Sequence, residues 1–183
     1  IREQVKARTV ASKPLQDDFG GHLVRHARST VESVRTRSDV TNGSTINIGF
    51  IGTVRRHKNI LAAAKSLQLF KWNSGLDIRF HVYGDVQPKQ LRDELVASGV
   101  EVKGYVASGE LTDEIEKMDA LLAGFPDEGE AEGNIIRYQI SSKIGDALRS
   151  GRPILVPNSP SVSDLEGMPG LYLFDAMNFA EQI

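Results

Sequence analysis

The stretch Tyr138-Gln-Ile-Ser-Ser-Lys-Ile-Gly-Asp-Ala-Leu-Arg-Ser-Gly-Arg-Pro-Ile-Leu-Val-Pro157 decides the fold; it reads as a loop, a short helix, a tight stop and a buried strand. Ser141 or Ser142 supplies the N-cap. Ile144, Ala147 and Leu148 recur at helical spacing on one apolar face. Gly151 stops the helix and Pro153 prevents its return. Ile154-Leu-Val156, bounded by prolines, has the unbroken apolar character of a strand buried in a parallel sheet. The same stretch suits an anion, because free backbone N–H groups, the hydroxyls of Ser141 and Ser142, the Lys143 ammonium and the helix dipole converge at one helix tip. Asp146 lies four residues after Ser142, on the same helix face, where a carboxylate can accept hydrogen bonds from a ribose diol. A capped surface helix with solvated polar residues satisfies the same pattern.

Working outward, strand and helix patterns alternate on both sides. Ile46–Ile51 reads as a strand ending at Gly52, and Asn59 caps a helix running to about Leu69, with Ile60, Ala63, Ala64 and Leu67 on its inner face. Trp72 to Gly75 reads as a turn. Ile78–Tyr83 is a second strand ending at Gly84; Pro88 opens a helix with Leu91, Leu95 and Val96 apolar, stopped at Gly99. Val100–Tyr105 is a third strand, Ser108 and Glu110 open a helix with Leu111, Ile115 and Met118 inward, and Ala120–Gly124 is a fourth strand. Leu171–Phe174 is a sixth, and Asn178 starts a helix that the chain end cuts off. Such alternation predicts an α/β fold: a Rossmann-like, doubly wound, mostly parallel sheet with helices on both faces, and ligands at the carboxyl ends of its strands.

The segment before Ile46 is less regular. Thr9–Ser12 and Leu23-Val24 read as short strand pieces, Leu15–Phe19 as one helical turn broken by Gly20-Gly21, Ser29–Ser38 as a polar stretch, and Asn42-Gly-Ser44 as a turn or linker.

Composition narrows the function. At 183 residues, 40% hydrophobic and 25% charged, the chain is long enough for a sizeable core. A formal net charge of -2 gives no bulk electrostatic case for nucleic acid. The absence of cysteine excludes disulfides, thiolate metal sites and cysteine nucleophiles, and permits a reducing cytoplasm. No apolar run reaches the ~18–20 residues of a spanning helix. His22, His26, His57 and His81 are scattered without metal-ligand spacing, and there is no Gly-x-Ser-x-Gly elbow of a serine hydrolase. The acidic loop at 127–132 pairs acids with glycines but no histidine, the pattern of a solvated loop more than of a catalytic or metal site.

A second constellation is Gly52-Thr-Val-Arg-Arg-His-Lys-Asn59. A strand-end glycine admits close approach of a ligand to the backbone, and Arg55, Arg56 and Lys58 place three cations in one loop, as a diphosphate requires. It is neither the Gly-x-Gly-x-x-Gly fingerprint nor a P-loop, and a solvated basic loop fits it as well.

Four stretches together resemble the C-terminal domain of GT-B fold glycosyltransferases, in the retaining group that includes glycogen and sucrose-phosphate synthases (family 4-like). They are Ile48-Gly-Phe-Ile-Gly52 with Lys58-Asn59, Phe80-His-Val-Tyr-Gly84, Val102-Lys-Gly-Tyr-Val106 followed by Glu110-Leu111, and Ser142-Lys143 through Gly151-Arg-Pro-Ile154. The resemblance covers roughly residues 46–176. It implies a domain that grips a UDP-, GDP- or ADP-linked sugar as substrate, with no cofactor and no metal. It further implies that Lys58 binds the donor diphosphate, that Asp146 meets the ribose hydroxyls, that the base lies along Tyr105 and Val106, and that Ile140, Ser141 and Ser142 meet phosphates and sugar. With Gly52, Thr53, Gly84, Tyr138 and Lys143, these residues make the expected donor site, and Lys58 and Arg55 are the groups expected to stabilise the departing diphosphate.

Two positions depart from the family pattern. Thr53 stands where many members carry Arg, with Arg55 or Arg56 as candidate substitutes; Tyr138 stands where the family has Glu, with Glu130 or Glu132 as candidates to approach the sugar. Residues 1–44 are similar to the close of the family's N-terminal domain and its linker, and 45–183 to the donor domain with its last helix truncated. The missing initiator Met and the missing acceptor-binding domain imply a fragment, inactive alone; the expected location is cytoplasmic, and peripheral attachment of the full-length protein to a membrane stays open. The alternatives are a binding or interaction module with a degenerate site, and a nucleotide-sugar epimerase.

Overall fold

The structure, a computed structural model, describes residues 7–25, 45–126, 138–176 and 179. The acidic loop with Glu130 and Glu132, the polar stretch 29–38, the Asn42-Gly-Ser44 turn, His26 and the helix expected from Asn178 lie outside these residues.

A small parallel pair, β1 (Thr9–Val10) and β2 (His22–Leu23), flanks α1 (Lys13–Phe19). Then follow β3 (Ile46–Ile51), a single 3-10 turn (Arg56–Lys58), α2 (Ile60–Ser74), β4 (Ile78–Tyr83), α3 (Lys89–Ala97), β5 (Glu101–Gly104), α4 (Ser108–Glu116) and β6 (Ala120–Leu122). After 138 come α5 (Lys143–Ser150), β7 (Ile154–Pro157), a second 3-10 turn (Ser163–Leu165) and β8 (Leu171–Phe174). The six long-sheet strands run parallel in the order β5-β4-β3-β6-β7-β8, so the order reverses between β3 and β6. Ligands of open α/β sheets bind outside the carboxyl ends of the strands at such a reversal.

Period-two alternation divides the core into two layers. Ile48, Phe50, Phe80, Val82, Leu122 and Leu155 face α2 and α3, where Ile60, Ala63, Leu67, Leu91 and Leu95 meet them. Tyr83, Leu121, Ile154 and Val156 face the other way, against Ile115 and Met118 of the α4 region and Ile144 and Ala147 of α5. Gly49 lies between Ile48 and Phe50 because α4's exit packs directly on β3: a Cβ there would come within 2.8 Å of Met118 Cγ.

Several boundaries and faces differ from the sequence expectation. The helix expected to end at Leu69 runs to Ser74, so Trp72, Asn73 and Ser74 are helical; Gly75, at φ 70°, is the actual stop. Asn59 does not cap α2 with its side chain; its backbone is left-handed (φ 51°) and its Nδ2 donates to the Pro126 carbonyl at 2.6 Å. Ser142 has helical backbone and no capping bond, and Ser141 Oγ instead accepts the Lys143 N–H at 3.4 Å. Val96, apolar like Leu91 and Leu95, is nevertheless 55% exposed, and Leu148 sits at the edge of α5's buried face. The strands expected over Val100–Tyr105 and Ala120–Gly124 are shorter, and α1 begins two residues earlier, with Pro14 in its first turn.

The segment 7–25 is fastened to the rest by polar contacts. Arg25 pairs with Asp164 and donates to the Ser161 carbonyl at 3.4 Å. Tyr138 donates its hydroxyl to Asp18 Oδ2 at 2.7 Å, and its ring lies 5.9 Å from that of Phe19.

Candidate donor site

The site is built where β3 and β4 end. Gly52 N–H donates to the Tyr83 carbonyl at 2.7 Å, and Gly84 N–H to that of Gly104 at 2.6 Å. Gly84 (φ 131°) presses on Gly52: a Cβ at 84 would sit 2.5 Å from the Gly52 oxygen. The chain after β3 is then pinned rather than free. Val54 is fully buried, pairs with Val86, and accepts from Gln87 at 3.0 Å. This pinning turns Thr53, Arg55 and Arg56 outward, all exposed, and brings Lys58 inward, half-buried. The Lys58 carbonyl accepts the Phe125 N–H at 3.3 Å, just beyond β6. The Lys58-Asn59 turn therefore spans the gap between β3 and β6 where the strand order reverses.

From the other side comes α5. The loop before it is held by Ser161, whose buried hydroxyl donates to the Gln139 carbonyl at 2.9 Å. Ile140 packs on the α5-side core, and Ser142 is exposed at the helix tip. Lys143, the first helical residue, reaches across the end of β3: a Gly52 Cβ would lie 3.4 Å from its Cε, and its Nζ stands 4.7 Å from the centroid of the Phe50 ring. Burial first, and then the charge of Lys58, bring the Lys143 ammonium down to about 8, against the opposing pull of Asp146 one turn along. Two cations thus face one another at a helix tip, the electrostatics of a site for an anion.

The structure brings together Gly52, Gly84, Lys58, Ser141, Lys143 and Asp146. Tyr105 follows Gly104 with its side chain 86% exposed, and Val106 is half-buried against the α4-side core. The Tyr138 hydroxyl is engaged with Asp18 of α1. Among the described residues no group of three or more His, Asp or Glu side chains converges as a metal centre would, and no helix is long and apolar enough to cross a membrane.

Sequence reading missed a second polar feature. A cleft of about 620 Å³ opens between β4, β5 and α4, lined in part by Asn47, His81, Tyr83, Val106 and Glu114. His81 Nε2 is 3.1 Å from Asn47 Oδ1, and Tyr83 donates to Glu114 at 2.9 Å. Burial pushes the His81 imidazole below its ordinary value, with Glu101 opposing. The signal was present: Asn47 and His81 are polar residues inside β3 and β4 at positions that share the α4 face.

A six-stranded parallel sheet whose strand order reverses between β3 and β6 is the fold of the C-terminal, Rossmann-like domain of GT-B glycosyltransferases. Solved structures agree. TarM of S. aureus, crystallised as a point mutant with Fondaparinux, alpha-GlcNAc-glycerol and UDP, is 16% identical, with 98% of this chain covering 36% of that one at a TM-score of 0.67. The C-terminal domain of the Francisella tularensis group 1 glycosyl transferase LpcC is 14% identical (75% of this chain, 72% of that one, TM-score 0.55). The catalytic domain of cholesterol-alpha-glucosyltransferase from Helicobacter pylori is 21% identical (75% and 82%, TM-score 0.54). At these identities the likeness shows the fold. The chain spans about a third of TarM and most of the two single domains. Neither a family model nor a curated protein matches the sequence.

Proposed function

We propose that this chain is the donor-binding part of a glycosyltransferase, gripping a nucleotide sugar by its diphosphate and presenting it to an acceptor held by a preceding domain. The observation that carries this reading is the Lys143 side chain lying over the glycine end of β3 at the tip of α5, near enough to Lys58 for the two charges to oppose one another. Positive charge fixed there is worth most in the transition state, when the sugar–phosphate bond breaks and the diphosphate gains negative charge. Asp146, half-buried one turn into α5, is placed for a ribose diol, and the exposed backbone after Gly104 for the base. UDP in the crystal of the similarly folded TarM supports a uridine donor as the first to try.

The test is calorimetric titration with UDP, GDP, ADP and the matching nucleosides. Lys58→Ala is expected to weaken the nucleoside diphosphate by roughly tenfold to a hundredfold, the worth of one charge-assisted hydrogen bond, and to leave the nucleoside nearly unchanged. Equal loss on both sinks the diphosphate role. A binding module with a degenerate site is the second reading, favoured by the Tyr138 hydroxyl being committed to Asp18. That reading expects UDP binding without turnover when an acceptor-binding domain is supplied.

A further inference from the structure

Of Arg55, Arg56 and Lys58, the three cations in the loop after β3, only Lys58 turns inward. Thr53 directly after the strand-end glycine is exposed, and so are both arginines, because Val54 between them and Gly52 is buried and paired with Val86. A second cation does occupy the space over Gly52, and it comes from 91 positions further on (143 − 52). The Lys143 side chain leaves α5, whose Ile144 packs on one face of the sheet, and crosses the end of β3 to the Phe50 ring on the other.

We infer that Lys143 is the second cation on the donor diphosphate, in the place a strand-end arginine would take, and that diphosphate binding is therefore accompanied by proton uptake. This rests on the donor reading above. An arginine keeps its charge in any surroundings, whereas a buried lysine readily loses a proton. The groups facing Lys143 set that balance: Lys58 from the turn after β3 opposes its charge, Asp146 on its own helix favours it, and the Phe50 ring and Gly52 of the β3 end contribute a ring face and backbone. Before a diphosphate binds, the ammonium releases its proton at about pH 8. A diphosphate brings compensating negative charge against Nζ and holds the proton on well above that value. While it is protonated, the ammonium lies over the Phe50 ring at the end of β3, 4.7 Å from its centroid. A Cβ at 52 would reach only ordinary contact with Cε, at 3.4 Å; the backbone φ of 120° is what favours glycine there.

The experiment is UDP titration of the 183-residue chain at pH 8.5 in two buffers of different ionisation enthalpy, whose difference in heat counts protons. At that pH the terminal phosphate is already ionised and contributes no uptake. The wild type is expected to take up roughly half a proton or more per UDP. Lys143→Arg is expected to bind UDP within about threefold of wild type with uptake near zero, since a guanidinium stays charged. Lys143→Met is expected to lose roughly tenfold or more in affinity along with the uptake. Far-UV circular dichroism confirms that each variant is folded. UDP binding that is weakened by Lys58→Ala, yet shows no uptake in the wild type or the same uptake in Lys143→Arg, overturns this inference and leaves the donor reading standing. Failure of the wild type to bind UDP, GDP, ADP or inorganic pyrophosphate overturns both.

Discussion

Replacing Gly84 by Ala tests the claim that the two strand-end glycines are where this fold is tightest. A Cβ at 84 would lie 2.5 Å from the Gly52 oxygen, 2.7 Å from its carbonyl carbon and 3.3 Å from its Cα. Ordinary contact begins near 3.4 Å, so the Gly52 peptide must move by nearly an ångström. It is held by its own N–H on the Tyr83 carbonyl at 2.7 Å, while Gly84 is held on Gly104 at 2.6 Å. Such overpacking against backbone costs about 1–3 kcal/mol. The φ of 131° adds a further ~1–2 kcal/mol for any residue with a Cβ. A loss of about 2–5 kcal/mol is therefore expected in urea unfolding, read as a lower midpoint at unchanged slope. Gly104→Ala is the control. Its φ is also positive, at 75°, but nothing lies within 4 Å of its added Cβ, so only the conformational cost of about 1–2 kcal/mol applies. If Gly84→Ala costs no more than Gly104→Ala, the contact between the β3 and β4 ends does not constrain the backbone as described.

Two further outcomes can be checked. Asn59→Ala loses both the bond to the Pro126 carbonyl and a residue tolerant of φ 51°, whereas Asn59→Gly loses only the bond. Thermal and urea unfolding should place the alanine variant roughly 1 kcal/mol below the glycine one. Acid should weaken the fold through three carboxyls held below their ordinary values: Asp77 by Lys71 and Thr45, Glu101 by Lys103, and Glu114 by Lys117 and Tyr83. A carboxyl lowered in the folded state favours folding above its unfolded value near 4, and that contribution disappears as pH falls through the lower folded value. Stability should accordingly drop between about pH 5 and 3, and less steeply in Glu114→Gln; an identical slope in that variant would count against a lowered Glu114 carboxyl.

The strands were largely legible in the sequence. Ile46–Ile51, Ile78–Tyr83 and Leu171–Phe174 occupy the expected residues, because β-branched and aromatic runs closed by glycine or flanked by turn residues leave little choice. Helix ends were harder. Trp72-Asn-Ser reads as a turn by residue preference, yet α2 continues through it until Gly75, since mild preferences yield to an ongoing hydrogen-bonded ladder. Asn59 shows the same limit: an N-cap residue by type, it was recruited by the Pro126 carbonyl 67 positions away.

The candidate site was legible as a set of residues and illegible as an arrangement. Spacing alone placed glycines at strand ends, a lysine in the loop after β3, and Ser-Ser-Lys with Asp146 at a helix start. These follow from local periodicity, and local periodicity is written in the chain. That Arg55 and Arg56 face outward while Lys143 crosses the sheet end to Phe50 depends on Val54 pairing with Val86 and on α5 docking against β7 and α4. That Tyr138 meets Asp18 depends on a contact across 120 positions. Burial, and with it the lowered basicity of Lys143, is a property of what surrounds a side chain, so only the assembled fold decided it.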